Sequence, residues 1–317
     1  MPTWNELLNE FNKQPTPEAK IQWLDSQRTA TLLEIGRLRG TGGDARNVIF
    51  YGSAFLQKPG APELGITWED VNAFMSVVHG MDCTRGLTLL IHTPGGQVNA
   101  AESLVAYLRS KFDDIEAIIP TFAMSAGTMI SLSTKRIVMG RQSQLGPIDP
   151  QFQGPQGSVS ATAVTDVFDR AKKDIEADLN LAHLWAPILQ TLGPSLLVDA
   201  RHALSYGERM VAGWLETGML AGTADAAVKA AEIAHHFNDA SAHLSHGRRI
   251  DIDEARRVGV TCEQLEGNQA LQEAVLTAYH LMTITFDIGP AVRAVSSDAG
   301  KTWLRNFFPP QFALPMP

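Results

Sequence analysis

The amino-acid sequence predicts an α/β protein in which short parallel strands alternate with helices, followed by a mainly helical part. Between residues 87 and 140, apolar runs typical of buried strands alternate with helix-like segments, which favours right-handed β-α-β crossovers. Two stretches of small residues, HTPGG (92–96) and AMSAGT (123–128), each follow a predicted strand. Ligands of parallel sheets bind at the carboxyl ends of the strands, so we expect a functional site where these stretches meet.

The composition is that of an ordinary globular protein, with 44% hydrophobic and 19% charged residues in a chain of 317. The net charge of −8 argues against a nucleic-acid partner, because phosphate contacts need clustered Lys and Arg. No apolar run approaches the roughly 20 residues of a membrane span, and the first residues lack the pattern of a signal peptide. We therefore expect a cytoplasmic protein with no membrane span.

The elements before the first small-residue stretch are two helical segments, a strand and a further helix. Residues 1–45 are predicted to be mainly helical, with a break at Pro15 and Pro17. The stretch NVIFYGS (47–53) is rich in β-branched and aromatic residues and predicts a strand. Residues 67–80 predict a helix with Thr67 as N-cap, Asp70 at the capping-box position and Gly80 at its end.

The central segment carries the strongest pattern. The run LTLLIHT is continuously apolar, which is typical of a strand buried on both faces of a parallel sheet. A helix (97–111), a second strand (IEAIIPTF), a small-residue helix (SAGTMISLS) and a third strand (136–140) follow, and a loop rich in Gly, Pro and Gln ends the segment. After residue 160 the pattern is helical up to about residue 287, and an apolar C-terminal tail follows.

Ser125 is the candidate nucleophile. A serine at a sharp strand-to-helix turn exposes its hydroxyl, and the next N–H groups point into the same space. The N–H groups of Gly95 or Gly96, from the neighbouring strand end, could supply a second donor. Two backbone donors that face one nucleophile form an oxyanion hole, the arrangement that stabilises the charge developing in acyl transfer. Taken alone, SAGT predicts only a helix N-cap and PGG only a tight turn. Their occurrence together at neighbouring strand ends favours a functional site.

Three stretches, LLIHTPGGQVNAAESL, AMSAGTMISLSTKRIVMG and LGPIDPQF, resemble the serine dehydrogenase proteinase family. That family is related to signal peptide peptidase A and to the Clp protease proteolytic subunit. These relatives carry a Ser-Pro-Gly-Gly or Thr-Pro-Gly-Gly oxyanion turn. The resemblance implies a ClpP/crotonase-like β-β-α spiral with a helical N-terminal extension and a helix-rich C-terminal part. It also implies that Ser125 is the nucleophile and that Gly96 and Ala126 donate to the oxyanion.

The resemblance further implies a division of the chain. Residues 1–45 form a helical N-terminal segment and residues 46–265 a catalytic domain with a helical insertion at 160–245. Residues 266–317 form a C-terminal helix and an apolar tail, which contains Trp303, Phe307, Phe308, Phe312 and Leu314. Such a tail has little reason to be exposed in a monomer, and relatives of this fold assemble as rings or trimers, so we expect a homo-oligomer.

The general base is less clear from the sequence. Clp-type peptidases have a histidine in the segment that corresponds to SQLGPIDPQ, where this chain offers only Asp149. His246, in LSHGRRI, lies where the third triad member is expected, so a swapped triad has His246 as base and Asp149 as its partner. The resemblance to signal peptide peptidase A suggests a lysine instead, and Lys172 and Lys173 follow Ser125 by 47 and 48 residues. Both lysines belong to an amphipathic helical stretch, where charged residues usually form a solvated face.

The remaining histidines and the cysteines do not predict a metal site. His92 at the first strand end could line the pocket, but its position favours a packed, hydrogen-bonded core histidine. His235, His236, His243 and His246 form a loose group without a recognisable ligand set. Cys83 and Cys262 have neither metal-ligand spacing nor a disulfide framework. We expect no metal and no cofactor, and no lysine context suggests the pyridoxal phosphate chemistry that serine dehydration would need.

Three functions are compatible with these sequence patterns. The first is a serine peptidase that acts on peptides or unfolded proteins through an acyl-enzyme, with a partner ATPase left open. The second is a crotonase-like acyl-CoA enzyme, which uses the same oxyanion hole but places acidic residues at the reacting carbon. The third is a scaffold with a degenerate site, for which the unclear base is the main support. Ser125 at the turn favours the peptidase.

Overall fold

The strands predicted at 47–53 and between residues 87 and 140 belong to a seven-stranded sheet, which also contains three strands that the sequence analysis does not predict. The computed structural model describes residues 1–40, 42–154, 157–193 and 195–308. The strand order is β11-β10-β1-β2-β3-β5-β9, and two small sheets pair β4 with β6 and β7 with β8. The strands are β1 (Asn47–Ser53), β2 (Leu87–His92), β3 (Ile115–Ile119), β4 (Phe122–Ala123), β5 (Arg136–Met139), β6 (Gln144–Leu145), β7 (Gln151–Gly154), β8 (Gly157–Ser160), β9 (Cys262–Gln264), β10 (Ala291–Ser297) and β11 (Thr302–Asn306).

Helices cover both faces of the large sheet. They are α1 (Trp4–Asn12), α2 (Pro17–Arg39), α3 (Glu69–Val78), α4 (Val98–Arg109), α5 (Ala126–Leu132), α6 (Ala161–Ala177), α7 (Ala182–Leu192), α8 (Leu196–Thr217), α9 (Ala226–Asn238), α10 (Ala240–His243), α11 (Ile252–Arg257) and α12 (Gln269–Ile288). Short 3-10 turns occupy Leu179–Leu181 and Leu265–Gly267.

The centre of the sheet is parallel and buried on both faces, as its apolar runs predict. β1, β2, β3, β5 and β9 pair in parallel. Leu89 and Ile91 of β2 point into the core formed with α3, α4 and α5, whereas Leu90 points into the core formed with α2 and α12. Because successive side chains of a strand alternate between faces, a strand covered on both sides must be apolar throughout.

A second layer of short pairings lies at the carboxyl ends of β2 and β3. Thr93, just after β2, forms a parallel bridge with Ala123 of β4, and Ala123 pairs with Leu145 of β6. Leu145 in turn forms an antiparallel bridge with Ile250, with both backbone hydrogen bonds at 2.9 Å. These pairings bring four distant segments side by side at one edge of the sheet. This arrangement agrees with the ClpP/crotonase-like fold that the sequence predicts.

The structure differs from the sequence prediction at the C-terminal end. After α12 the chain returns to the large sheet, where β10 pairs antiparallel with β1 and β11 pairs antiparallel with β10. Trp303 belongs to β11 and is partly buried against the core rather than part of a free tail. Phe308 is 71% exposed. Phe312 and Leu314 lie outside the described residues.

The start of α3 also differs from its prediction. Trp68 is the N-cap residue of the helix, and no side chain makes a capping hydrogen bond there. The Thr67 hydroxyl instead accepts a hydrogen bond from Arg293. Asp70 does accept the Thr67 N–H, at 2.8 Å. The Thr67 cap is therefore lost to a tertiary contact that the local sequence cannot reveal.

Among the helices of the described ranges, none is by itself long and apolar enough to cross a membrane. The segments Leu179–Leu192 and Leu196–Thr217, which are bent by 63° relative to each other, reach that length and apolar composition only when they are counted together.

Candidate active site

Ser125 sits at a strained turn between β4 and α5. Its φ is +50° and its ψ −117°, a conformation that side-chain-bearing residues rarely adopt, and it is the N-cap residue of α5. Its hydroxyl makes no capping hydrogen bond to the helix. The serine is partly exposed whereas the next residue, Ala126, is fully buried. Such strain is typical of functional sites, where the surrounding structure enforces it.

The glycine turn after β2 lies directly against this serine. Gly95 and Gly96 have φ values of +105° and +151°, which favour glycine. A Cβ on Gly95 would lie 2.7 Å from Ser125 Cβ and 3.2 Å from the Ala126 nitrogen. The absence of side chains at this turn therefore lets its backbone approach the serine.

The backbone donors at this junction divide into one that is used and two that are not. The Gly95 N–H donates to the Thr93 hydroxyl at 3.2 Å. In the part of the chain that the structure describes, the N–H groups of Gly96 and Ala126 donate to no protein acceptor. Gly96 and Ala126 thus have free donors beside Ser125, and the Gly95 donor serves the turn itself.

Asp149 and His246 form a hydrogen-bonded pair. The distance from His246 Nδ1 to Asp149 Oδ1 is 2.8 Å, and the carboxylate is buried whereas the imidazole is 29% exposed. The second carboxylate oxygen accepts from Gln151 Nε2 at 2.6 Å. An imidazole that donates Nδ1–H to a carboxylate has its Nε2 lone pair available as a base.

The register of the small-sheet layer explains why these two residues meet. Asp149 lies four residues after Leu145, and His246 lies four residues before Ile250. Because Leu145 and Ile250 are antiparallel partners, the two chains bring residues at matching offsets opposite each other. Ser125 follows Ala123, the other neighbour of Leu145, by two residues. The pairings thus bring the serine segment and the Asp149–His246 pair to the same edge.

The serine hydroxyl does not contact the imidazole in this structure. Across residues 1–308, apart from the four gap positions at 41, 155, 156 and 194, Ser125 Oγ has no hydrogen-bond partner. Catalytic hydrogen bonds of unliganded enzymes are often long or unformed and tighten only with substrate bound.

A network of charged groups holds the loop that carries His246, and no pattern in the sequence predicts it. Arg248 donates to both carboxylate oxygens of Glu254, at 2.8 and 2.9 Å, and contacts His243 Nδ1 at 3.0 Å. His243 also contacts the backbone carbonyl of His236 at 2.7 Å. Leu244 has a positive φ of 62° and is 89% exposed. Two charged residues six positions apart resemble any surface pair, and only the fold reveals what they fix.

Lys172 and Lys173 lie on α6 and are both exposed. Lys172 makes an ion pair with Glu176, one turn further along the same helix, at 3.9 Å. This is the arrangement of a solvated helix face. The structure does not bring either lysine into contact with Ser125.

His92 and His236 have structural partners. His92 is fully buried, and burial lowers its pKa to about 3. Its Nδ1 lies 2.8 Å from the Thr121 hydroxyl, and its ring packs against Phe55, Phe122 and Tyr279. His236 pairs with Glu254 at 3.2 Å. Within the described ranges, His, Cys, Asp and Glu side chains form no group of three with metal-site geometry.

Comparison with known proteins gives three results. Residues 16–184 match the family described as ClpP-like SDH-type serine proteinase. Two uncharacterized proteins of Methanocaldococcus jannaschii are 37% identical over 144 residues and 32% identical over 145, in each case 45% of this chain and 49% of the relative. The chain therefore spans about half the length of the curated relatives it matches.

A solved structure, a membrane-bound stomatin-specific protease mutant in complex with a substrate peptide, is 17% identical with a TM-score of 0.36. The match covers 62% of this chain and 70% of that one. The family match covers more than half of the chain and includes both small-residue turns and Asp149. The chain belongs to the ClpP-like SDH-type serine proteinase family.

Proposed function

We propose that the protein is a serine peptidase that cleaves peptides or unfolded proteins through an acyl-enzyme, with Ser125 as nucleophile, His246 as base and Asp149 as its partner. The observation that carries the proposal is the 2.8 Å hydrogen bond between His246 and Asp149 at the same sheet edge as the strained Ser125 turn. Family membership supports the reaction class. The family resemblance singled out the three residues, and the geometry of the Asp149–His246 pair supports their assignment.

In this mechanism Ser125 Oγ attacks the carbonyl carbon of the scissile bond and gives its proton to His246 Nε2. The carbonyl oxygen becomes negatively charged and accepts hydrogen bonds from the free N–H groups of Gly96 and Ala126. His246 then protonates the leaving amine, and the acyl-enzyme forms. Water, activated by the same imidazole, releases the acyl group and restores the serine.

Asp149 contributes by orienting the imidazole. A carboxylate that accepts from Nδ1–H fixes the tautomer in which Nε2 is unprotonated, and it stabilises the imidazolium that forms during attack. Burial of the carboxylate excludes competing water from this hydrogen bond. Gln151 holds the second oxygen and so limits rotation of the carboxylate.

Two alternatives have specific observations in their favour. The missing contact between Ser125 Oγ and His246 favours a degenerate scaffold, and the resemblance to signal peptide peptidase A favours a lysine base. Exposure of Lys172 and Lys173 counts against the lysine, because a lysine acts as a base only where its neutral form is favoured. A crotonase-like acyl-CoA reaction places acidic residues at the reacting carbon, whereas this junction presents a serine and glycines.

The experiment combines a fluorophosphonate probe with hydrolysis of a fluorescent unfolded-protein substrate. We expect the probe to label Ser125, identified by peptide mass spectrometry, and Ser125→Ala to abolish both labelling and hydrolysis. His246→Ala should lose activity to the same extent, and the Ser125→Ala, His246→Ala double variant should be no worse, because the residues act as a unit. Asp149→Asn should retain more activity than either.

The competing outcomes are distinct. If His246→Ala keeps near-parent activity and Lys172→Ala or Lys173→Ala loses it, the site is a Ser–Lys dyad. If the folded parent neither reacts with the probe nor cleaves the substrate, the proposed peptidase activity is wrong. We also propose a homo-oligomer, whereas delivery of substrate by a partner ATPase is left open. Cleavage that proceeds without added ATPase would show that no such partner is required.

A further inference from the structure

We propose that Arg293 and Asp70 form a buried positioning pair that holds the glycine turn of the candidate oxyanion hole in its donor geometry. Neither residue touches the reacting atoms. They act through the segment 65–67, which pairs with the turn. This inference rests on the proposed function of that turn, and it is tested below by one readout that needs no activity.

The glycine turn is hydrogen-bonded to the segment 65–67. Ile66 forms a parallel bridge with Gly96. The Ile66 N–H donates to the Gly95 carbonyl at 2.7 Å, and the Gln97 N–H donates to the Ile66 carbonyl at 2.9 Å. Two hydrogen bonds on either side of Gly96 fix the plane of its peptide group. The direction of the Gly96 N–H therefore depends on where Ile66 lies.

Arg293 is hydrogen-bonded in turn to the segment 65–67. Arg293 Nη1 donates to the Gly65 carbonyl at 2.6 Å and to the Thr67 hydroxyl at 2.8 Å, the residues on both sides of Ile66. The same nitrogen contacts Asp70 Oδ2 at 2.9 Å, and Asp70 accepts the Thr67 N–H at 2.8 Å. Arg293 comes from β10, so the guanidinium ties this segment to the rigid sheet.

The burial of Arg293 and Asp70 has an energetic cost. The side chains of Arg293 and Asp70 are both 0% exposed. Buried ion pairs are often no more stabilising than well-packed apolar residues, because both charges lose their hydration. Within the described chain, Arg293 Nε and Asp70 Oδ1 are buried without a hydrogen-bond partner, which adds to the cost. The hydrogen bonds of this costly pair converge on one short segment. We infer that the pair serves to hold that segment in place.

The segment has few other supports. Between β1 and α3 the chain runs through turns without a regular strand, so no sheet ladder holds it. Two further anchors are the buried Ile66 side chain and a hydrogen bond from the Ser53 hydroxyl to the Leu64 carbonyl at 2.6 Å. Neither fixes both neighbours of Ile66. We therefore expect loss of Arg293 to loosen the Ile66–Gly96 bridge more than it loosens the fold.

The test compares Arg293→Met, Arg293→Lys and Asp70→Asn with Glu116→Gln in the full-length chain. Glu116 is also 0% exposed and paired with arginines, but it lies on β3 near the opposite, amino-terminal end of the strands. In folded Arg293→Met we expect kcat to fall about 100-fold, the usual cost of a misplacement near 1 Å, with little change in KM. Arg293→Lys should recover part of the rate, because it keeps the charge but not the forked donors. Glu116→Gln should lose stability without this loss of kcat.

A second readout keeps the proposal independent of the activity. Hydrogen exchange at the amides of Ile66 and Gln97 reports the bridge directly. We expect faster exchange at both amides in Arg293→Met and in Asp70→Asn, and unchanged exchange there in Glu116→Gln.

Parent-like exchange at Ile66 and Gln97 in folded Arg293→Met would overturn the positioning role whether or not the protein hydrolyses peptides. A fall of kcat in Glu116→Gln as large as that in Arg293→Met would also overturn it, because the loss of kcat would then follow from the loss of stability alone. If the parent lacks Ser125-dependent hydrolysis, the proposed function fails, and the exchange result alone still decides whether the pair holds the turn.

Discussion

Gly96 is the residue on which the candidate oxyanion hole depends most directly. Its φ of +151° is one that residues with a Cβ rarely adopt. A Cβ at this position would lie 2.7 Å from Ile66 Cα and still closer to the Ile66 backbone nitrogen and oxygen. A methyl group here therefore acts on the bridge to Ile66 and displaces the turn, rather than filling the oxyanion position itself.

We expect Gly96→Ala to lower the turnover of a peptide substrate about 100- to 1000-fold, the range for loss of one oxyanion donor. Steady-state kinetics on a variant with a parent-like circular dichroism spectrum provide the measurement. Gly213→Ala, on α8 with open space around the new methyl group, is the control and should keep the parent rate. Parent-like turnover in Gly96→Ala would exclude this glycine from the oxyanion hole.

His92 gives a prediction about pH. Burial lowers its pKa to about 3, whereas the unfolded chain has an ordinary histidine pKa near 6.5. Between these values the unfolded state binds the additional proton, so the contribution of His92 to stability is complete above about pH 6.5. That contribution is lost progressively as the pH falls towards 3.

Two measurements check this. The His92 ring should show no imidazolium signal by NMR in the folded protein at pH 5, in contrast to an exposed histidine. The free energy of unfolding should fall between pH 6.5 and 5 in the parent, and less steeply in His92→Phe, which cannot take up the proton. An imidazolium signal at pH 5 would contradict the neutral assignment.

At the scale of elements, one buried carboxylate joins α2 to the strands of the sheet. Glu116 of β3 accepts from Arg39 of α2 and from Arg136 of β5. Arg39 also pairs with Glu263 of β9 at 2.8 Å. Burial alone would raise the pKa of Glu116, but the hydrogen bonds and charges of the arginines outweigh burial and lower it.

We expect Glu116→Gln to lower the free energy of unfolding by roughly 3 to 5 kcal/mol, because it leaves buried arginine charge uncompensated. A carboxyl with a lowered folded-state pKa stabilises the protein above its unfolded pKa, about 4.3, and that stability is lost as the pH falls through the folded value. Denaturant unfolding at pH 7 and at pH 3 should therefore show a larger difference in the parent than in Glu116→Gln. Equal stability of the two proteins at pH 7 would contradict the role of this network.

The sequence predicted those elements whose pattern is local. β1 was expected at 47–53 and occupies those residues, and the apolar run of β2 predicted a doubly buried strand. The turns at Gly95–Gly96 and Ser125 were located for the same reason, since close backbone approach needs small residues in short stretches. The family resemblance, not the local pattern, singled out Asp149 and His246, and their catalytic roles stay predictions.

The rest depended on contacts between distant residues. Arg293 interrupts the apolar pattern of β10, and its residue type predicts a surface position. The fold instead buries it against Asp70, 223 positions away. The pairing of Asp149 with His246 follows from the Leu145–Ile250 bridge, which joins β6 to a stretch beyond the helical part. The residue periodicity of the two segments does not predict that bridge.

Within residues 1–308, apart from the gap positions, the protein exposes apolar surface on and around α7. None of the described residues 182–192 of α7 is buried, although the helix is mainly apolar. Leu184 is 66% exposed, Leu179 just before the helix is 79% exposed, and Phe308 is 71% exposed beyond β11. Exposed apolar surface of this kind is typical of interaction sites. We propose a second copy of the chain as the partner of α7, in line with the homo-oligomer that the sequence predicts.

We expect the protein to be an oligomer at micromolar concentration, and light scattering coupled to size-exclusion chromatography measures its mass. Leu184→Glu together with Ile188→Glu places two charges on the exposed face of α7, where they should weaken assembly without disturbing a core. Lys172→Glu, on the charged face of α6, is the control and should leave the mass unchanged. A parent that elutes as a monomer would end the prediction, and a glutamate double variant that stays oligomeric would move the interface away from α7.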